Sequence, residues 1–362
     1  MVDLAKGCAV LGGLVVLACA APALAEPDVL ERPALISARA QNSVIMAVTT
    51  AGKRLVAVGE RGIVLTSDDN GDSWKQSAVP VSVALTNARF VTEKTGWAIG
   101  HSGVVLKSED GGLSWVKQLD GTKAAAIVLE TANAFAAAHP DDMKSRRLLG
   151  EADQKVAEGA DKPFLDLYFK NEREGFIVGA YGLFLATGDG GQSWQGRQDR
   201  LDNRKGLHLY AIDVAGDDIL ISGEQGTLYH SADGGAAFEA VKLPYDGTYF
   251  GVRHIKDGVL AFGLRGNAYR SADGLKSWSK VETNDPETLT ASVTLADGSL
   301  LLVDLTGNLL LSGDQGHSFR MGPRQAMPLT GVVEAGNGAV VVSGLGGITR
   351  LARQSIDQGS VK

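Results

Sequence analysis

Residues 56–74 read VAVGERGIVLTSDDNGDSW, and residues 97–115 repeat the same pattern as WAIGHSGVVLKSEDGGLSW. Each copy contains a run of small apolar residues, a central glycine and the motif Ser-x-Asp-x-Gly-x-x-Trp. Related copies occupy residues 176–194, 220–238, 260–278 and 301–319, and a half copy begins at residue 341. The central glycines are Gly62, Gly103, Gly182, Gly226, Gly266, Gly307 and Gly347. Their successive spacings are 41, 79, 44, 40, 41 and 40 residues. A period near 40 is that of one propeller blade, so the sequence predicts an all-β, seven-bladed β-propeller.

The Ser-x-Asp-x-Gly-x-x-Trp motif predicts a tight hairpin between the third and fourth strands of each blade. The carboxylate can accept N–H bonds within its own turn, and the glycine supplies a positive φ. We expect the terminal aromatic side chain to pack between neighbouring blades. The aspartates are interpreted as structural, not as acids or metal ligands, because the same carboxylate recurs six times at the same position of the same kind of turn. The motif residues are Asp69, Asp110, Asp189, Asp233, Asp273 and Asp314, with Trp74, Trp115, Trp194, Phe238, Trp278 and Phe319.

This motif is the Asp-box, or BNR, repeat. Together with the second strand Gly96–Gly100 (GWAIG), it makes the chain resemble the photosystem II stability and assembly factor-like propeller family. The resemblance covers roughly residues 44–350 and implies a non-catalytic propeller that binds and assembles membrane-protein complexes. The family's arginine patch is mostly missing, since arginine precedes the central glycine only at Arg61 and Arg265. A photosystem client is therefore not carried over.

The first 25 residues predict a secretory signal peptide. An apolar stretch from Cys8 to Cys19 precedes the small-residue cleavage site that ends at Ala25. We expect residues 26–362 to form the propeller in the periplasm, and the alternatives are a membrane anchor and lipid attachment at Cys19. Because both cysteines lie in the leader, a mature chain cleaved after Ala25 would contain no disulfide and no thiolate.

Charge and hydropathy restrict the partner classes. The net charge of −7 is spread along the chain and leaves no basic stripe for nucleic acid. Outside the leader, no segment is apolar enough to span a membrane. We expect no cofactor and no bound metal. The expected partner is a protein, belonging to an integral membrane complex or an envelope transport complex.

Two regions depart from the regular repeat. The last repeat lacks an Asp-box and a fourth strand, and we expect Ala34–Arg39 to supply that strand and close the ring. The 79-residue spacing leaves residues 123–162 for a helical hairpin inserted between blades 2 and 3, because this segment is alanine-rich and lacks alternation. A degenerate eighth blade is the alternative. The hairpin either only packs against the propeller or has a docking or gating role.

The turns between the second and third strands are the candidate binding site. Their residues differ between repeats while the framework stays constant, as in a scaffold with variable loops. The candidate partner-binding residues are Glu60, Arg61, His101, Tyr181, Glu224, Gln225 and Arg265.

No catalytic residues are assigned, since the sequence contains no nucleophile elbow, phosphate loop or metal-binding histidine spacing. The alternative function is a sialidase-like glycoside hydrolase or a glycan-binding propeller. A sialidase would need three arginines converging on a carboxylate, and a tyrosine nucleophile with an acidic partner. The nearest candidates for that pair are Tyr181 and Glu224.

Overall fold

A computed structural model describes residues 28–357, so the predicted leader lies outside the described residues. The described strands form seven antiparallel sheets, in each of which the strands follow chain order. Six sheets have four strands and the last has three, and the set fits a seven-bladed propeller. We number the sheets 1 to 7 along the chain.

Sheet 1 comprises β1 (Ile45–Ala51), β2 (Arg54–Gly59), β3 (Val64–Ser67) and β4 (Lys75–Gln76). Sheet 2 comprises β5 (Leu85–Phe90), β6 (Gly96–Gly100), β7 (Val105–Ser108) and β8 (Val116–Leu119). Sheet 3 comprises β9 (Phe164–Phe169), β10 (Gly175–Gly179), β11 (Phe184–Thr187) and β12 (Gln195–Gly196). Sheet 4 comprises β13 (Leu209–Ala215), β14 (Asp218–Gly223), β15 (Leu228–Ser231) and β16 (Glu239–Ala240).

Sheet 5 comprises β17 (Tyr249–Ile255), β18 (Gly258–Gly263), β19 (Ala268–Ser271) and β20 (Ser279–Lys280). Sheet 6 comprises β21 (Leu289–Thr294), β22 (Leu300–Asp304), β23 (Leu309–Ser312) and β24 (Arg320–Met321). Sheet 7 comprises β25 (Leu329–Glu334), β26 (Val340–Gly344) and β27 (Gly347–Leu351). Helices α1 (Gly121–Ala138) and α2 (Met143–Glu158) lie between sheets 2 and 3, and α3 (Arg353–Asp357) follows β27.

The first strand of each sheet packs against the first strand of the next sheet, and β25 packs against β1 to close the ring. The second strands are covered on both faces, and β6, β22 and β26 are buried at every position. Small and branched residues suit such strands, which explains the uninterrupted apolar runs in the repeats.

Each interface between neighbouring sheets contains one hydrophobic cluster. Six of these clusters include the aromatic residue that ends the Asp-box of the second sheet, for example Trp115 between sheets 1 and 2. Sheet 7 has no Asp-box. In its interface with sheet 6, the fully buried side chain of Ile356 from α3 joins the cluster instead.

The Asp-box carboxylates accept hydrogen bonds inside their own hairpins. Asp69 Oδ1 accepts from Ser67 Oγ at 2.7 Å and from Ser73 N at 2.9 Å, while Ser67 Oγ accepts from Gly71 N at 2.9 Å. The hydrogen bonds from Ser73 and Ser67 lower the pKa of Asp69 to about 2. A serine or threonine hydroxyl donates in the same way to the carboxylate in the other five Asp-boxes, at Asp110, Asp189, Asp233, Asp273 and Asp314.

The predicted closing strand at Ala34–Arg39 is wrong. These residues form no strand, and Ala34 N donates instead to Val79 O at 3.0 Å. The Gln76 side chain donates to Leu35 O at 2.9 Å and accepts from Ser37 N at 2.8 Å. The Gln76 amide therefore holds this segment along the outer side of sheet 1, while α3 covers sheet 7.

Helices α1 and α2 begin at aspartate caps. Asp120 Oδ1 accepts from Lys123 N at 3.1 Å, and Asp142 Oδ1 accepts from Lys144 N at 2.8 Å. The two helices pack against each other, and α1 contributes Val128 to the cluster between sheets 2 and 3. Among the described residues, the interval 120–163 contains no strand, so no eighth sheet occupies it.

Candidate partner-binding site

A short turn joins the second and third strands at the end of each sheet that lies opposite the Asp-box hairpin. In five sheets, the middle residue of this turn is a non-glycine residue with a left-handed backbone. These residues are Arg61 (φ 53°), Ser102 (φ 56°), Tyr181 (φ 54°), Gln225 (φ 50°) and Arg265 (φ 57°). A left-handed non-glycine residue costs about 1–2 kcal/mol, so the repeated turn holds these side chains in a fixed, strained geometry.

The central glycine follows this residue and also has a positive φ. Gly62 has φ 74°, and Ile63 N donates back to Glu60 O at 3.0 Å, as in a type I′ turn. A Cβ atom at Gly62 would lie 2.2 Å from Val81 O in the linker to sheet 2. Only glycine therefore fits this position, which explains the spacing signal in the sequence.

The structure separates the predicted site residues into two groups. Arg61, His101, Tyr181, Gln225 and Arg265 are exposed on this face. The two glutamates are half-buried and accept hydrogen bonds from backbone N–H groups just before the first strand of their own sheets. We call the first strand of each sheet its inner strand. Glu60 Oε1 accepts from Val44 N at 3.2 Å, and Glu224 Oε2 accepts from His208 N at 2.8 Å. These glutamates therefore hold the framework of the turns.

A row of rings, which sequence reasoning missed, runs along this face from sheet 3 to sheet 5. The ring centroids of Tyr181 and His208 are 4.6 Å apart, and those of His208 and Tyr210 are 6.1 Å apart. Tyr210 and Phe250 follow at 4.9 Å. Tyr210 and Phe250 each come directly after the first buried residue of an inner strand, and this shared position was the available signal.

The linkers between sheets flank the turns. Lys205 Nζ donates to Gln225 Oε1 at 2.8 Å, and Arg324 Nε donates to Thr306 O at 3.1 Å. Leu305 in sheet 6 and Leu345 in sheet 7 occupy the first turn position and are 43% and 51% exposed. The face thus presents aromatic, charged and apolar side chains around one ring.

Two arginines and two aspartates lie on the inner strands and form a second set that sequence reasoning missed. They are Arg89, Asp166, Asp213 and Arg253. Asp166 Oδ1 accepts from Asn87 Nδ2 at 2.8 Å, and Asp166 Oδ2 accepts from Ile212 N at 2.9 Å. Burial raises the pKa of Asp166, and the charge of Arg89 opposes that rise. Arg253 donates from Nε to Ser292 Oγ at 2.8 Å.

The geometry bears on the glycoside hydrolase alternative. Tyr181 and Glu224 both approach His208, whose Nδ1 lies 3.8 Å from Glu224 Oε1. The inner strands of the described chain carry two arginines, Arg89 and Arg253, where a sialidase site would need three. Within residues 28–357, no three His, Asp or Glu side chains are grouped to hold a metal ion. The described helices also include none long and apolar enough to cross a bilayer.

The model of the photosynthesis system II assembly factor YCF48 family matches residues 150–325. The chain is therefore similar to the photosystem II assembly factor-like propeller family. The photosystem II assembly lipoprotein Ycf48 of Synechococcus sp. strain CC9902 is 37% identical over 84 residues, which cover 22% of this chain and 25% of that protein. The chain thus matches about a quarter of the length of that curated relative.

Solved structures agree with this family at the level of the fold. A structure described as YCF48 bound to D1 peptide has a TM-score of 0.63 and 13% identity, covering 88% of this chain and 98% of that chain. The GH74 enzyme of Niastella koreensis has a TM-score of 0.61 and 12% identity, covering 86% of this chain and 52% of that chain. At these identities, the family's propeller fold is shared with enzymes, and function has to be argued from the site.

Proposed function

We propose that this propeller is an exported, non-catalytic scaffold that binds a protein partner during assembly of an envelope membrane-protein complex. The partner contacts the ring of turns between the second and third strands, chiefly at Arg61, His101, Tyr181, Gln225 and Arg265. The observation that carries this proposal is the repeated left-handed turn, which displays four different kinds of side chain (Arg, Ser, Tyr and Gln) at five positions of one framework. A rigid frame with variable loops is the usual design of a recognition surface.

Two further observations support the proposal. A relative of the same fold is described as bound to a peptide, and the curated relatives are described as assembly lipoproteins. The inner strands of the described chain supply two arginines, fewer than sialidase chemistry needs, which argues against that one alternative. Release of sialic acid from a sialoside by the purified protein would contradict the non-catalytic role.

The domain boundaries belong to the same proposal. Residues 1–25 are a signal peptide, residues 26–362 form the propeller, and residues 123–162 are a helical insertion in the family framework. The mature protein is periplasmic, with cleavage after Ala25, and lipidation at Cys19 remains the alternative because the curated relatives are lipoproteins. The mass of the mature protein distinguishes a free N-terminus at Glu26 from a lipid-modified Cys19.

The experiment is purification of the tagged protein from its native envelope after mild crosslinking. We expect a stoichiometric membrane-protein partner that is lost in the double variant Arg61→Ala/Arg265→Ala. The control variant Lys53→Ala/Lys256→Ala changes two exposed residues in hairpins between first and second strands. These hairpins lie at the end of the sheets opposite the turn face, so this variant should retain the partner. Recovery of the protein alone, or equal recovery of the partner by both variants, would contradict the proposal.

A further inference from the structure

A pocket opens beside the turn of sheet 3, between that turn and helix α2. It encloses about 510 Å³, including its open mouth, and Tyr181 forms part of its wall. Helix α2 contributes Lys155 and Glu158, and the linker after sheet 3 contributes Arg204 and Lys205. The pocket therefore combines the helices between sheets 2 and 3 with the proposed partner-binding face.

Two of the four cations around the pocket already have carboxylate partners. Lys162 Nζ lies 2.7 Å from a carboxylate oxygen of Glu158 and 2.7 Å from one of Asp161. The same ammonium lies 4.8 Å from the centroid of the Tyr181 ring. Arg204 Nε lies 2.9 Å from Asp202 Oδ1. These pairs balance their own charges and leave little attraction for a further anion.

The other two cations have no carboxylate partner in the described structure. Lys205 Nζ contacts only the neutral amide oxygen of Gln225, at 2.8 Å. Lys155 Nζ makes no hydrogen bond and has no carboxylate within ion-pair distance in the range 28–357. Glu151 lies one helical turn before Lys155, but its Oε1 pairs with Arg147 Nη1 at 2.9 Å.

Burial makes the missing partner of Lys155 costly. The side chain is half-buried, and burial lowers the pKa of its ammonium, although the nearby charge of Glu151 opposes this. A cation withdrawn from water gains most from an anion that replaces its hydration. The pocket is thus preformed for a negatively charged group.

The size and surroundings of the pocket identify the class of ligand. A volume of about 510 Å³ suits one or two small acidic groups rather than a folded element. Five cations (Arg147, Lys155, Lys162, Arg204 and Lys205) lie near four carboxylates (Glu151, Glu158, Asp161 and Asp202). The net charge of this region is only about +1, so it lacks the dense cluster of positive charge that attracts an anionic membrane surface. Recognition here would be local and would come from a molecule already docked on the turn face.

We propose that this pocket binds carboxylate side chains from an acidic segment of the partner protein, with Lys155 and Lys205 as their counter-ions. This inference rests on the proposed function, because the acidic segment is presented by a partner on the same face. Tyr181 lies at both the turn ring and the pocket, so the two surfaces form one continuous contact area.

The test is calorimetric titration of the purified full protein with a hexaglutamate peptide at low ionic strength. We expect saturable binding that is weakened about tenfold by Lys155→Met and reduced in the same direction by Lys205→Gln. Methionine keeps the apolar stem of Lys155 in its half-buried place, and an unchanged melting temperature would verify folding. The matched control is Lys256→Met, which removes an exposed charge on a hairpin at the opposite face and should bind like the parent. Added salt should weaken the binding.

Equal affinity of Lys155→Met and Lys256→Met for hexaglutamate, or no hexaglutamate binding by the parent protein, would overturn the proposal that the pocket binds carboxylates. Lys155-dependent binding to phosphatidylglycerol vesicles without hexaglutamate binding would also overturn it and would assign the site to a lipid headgroup. The partner purification described above gives a separate result. A captured partner with no peptide binding would contradict the pocket alone, whereas peptide binding without any partner would contradict the scaffold function alone.

Discussion

The two halves of the ring hold their inner strands together in different ways. In the charged half, between sheets 2 and 5, charged side chains make links, as Asp166 does with Asn87 and Asp213 does with His254 Nδ1 at 2.8 Å. This half also contains one threonine link, in which Thr86 Oγ1 donates to Phe164 O at 2.7 Å. In the threonine half, between sheets 6, 7 and 1, hydroxyl groups link the inner strands, and the Glu334 carboxylate of sheet 7 also accepts from Ala296 N in sheet 6. Thr290 Oγ1 donates to Leu329 O at 2.9 Å, and Thr330 Oγ1 donates to Ile45 O at 2.7 Å.

The charged half also carries the helices α1 and α2, the row of rings and the lysine pocket. A threonine bridge stabilises an interface with one neutral hydrogen bond, whereas a buried carboxylate requires several donors at fixed positions. Four of the five exposed turn residues, namely His101, Tyr181, Gln225 and Arg265, lie in the charged half, whereas sheet 1 of the threonine half contributes Arg61 to the same face.

The largest effect is expected in the threonine half, where sheet 7 lacks a fourth strand. Ile356→Ala should lower the free energy of unfolding by about 3 kcal/mol, because it leaves a cavity between sheets 6 and 7. The control Leu345→Ala alters an exposed side chain of sheet 7 and should change stability little. Chemical denaturation measures both, and equal small losses would show that α3 does not hold this interface.

A smaller effect should separate the two kinds of link. Asp166→Ala leaves the Ile212 N–H and the Asn87 amide without their acceptor, and should cost about 2 kcal/mol of unfolding free energy. Thr290→Val removes one neutral hydrogen bond and should cost about 1 kcal/mol. Asp166→Asn keeps an acceptor oxygen and should lose less than Asp166→Ala. If Thr290→Val proves the more damaging, the proposed difference between the halves is wrong.

The boundary between the halves should show a dependence on pH. Asp285 lies beside Asp304 between sheets 5 and 6; burial, together with this neighbouring carboxyl group, raises the pKa of Asp285 to about 6. The folded protein therefore binds a proton that the unfolded chain releases near its ordinary pKa of 3.8. The stability contributed by that proton is lost as the pH rises from about 4 to about 6.

Asp285→Asn should remove this loss and raise the melting temperature above pH 6. His254 affects a different pH range, because the hydrogen bond and charge of Asp213 outweigh burial and raise the pKa of its imidazole above 6.5. The stability gained from protonated His254 is present below pH 6.5 and is lost at higher pH. The control Lys256→Met removes an exposed charge that is not part of this pair and should leave the window from pH 4 to pH 6 unchanged. A parent protein with a flat melting temperature across that window would contradict the assignment.

The repeat spacing and the Asp-box predicted the seven sheets, because both depend on local turn chemistry that recurs along the chain. The closure was mispredicted because it depends on contacts that a repeat does not encode, namely the Gln76 amide and the buried Ile356. The candidate site could be predicted only in part. The turns carry a glycine signal, but the free ammonium of Lys155 becomes visible only when the pairing of Glu151 with Arg147 is known.

The most direct test of the scaffold role is photo-crosslinking in the native envelope. A photoreactive amino acid would replace His101 or Arg265 on the turn face, and Lys53 or Lys256 on the opposite face, all of which are exposed. The account predicts one membrane-protein adduct from each turn-face position and none from the opposite face. Adducts that form from the opposite face alone would contradict it.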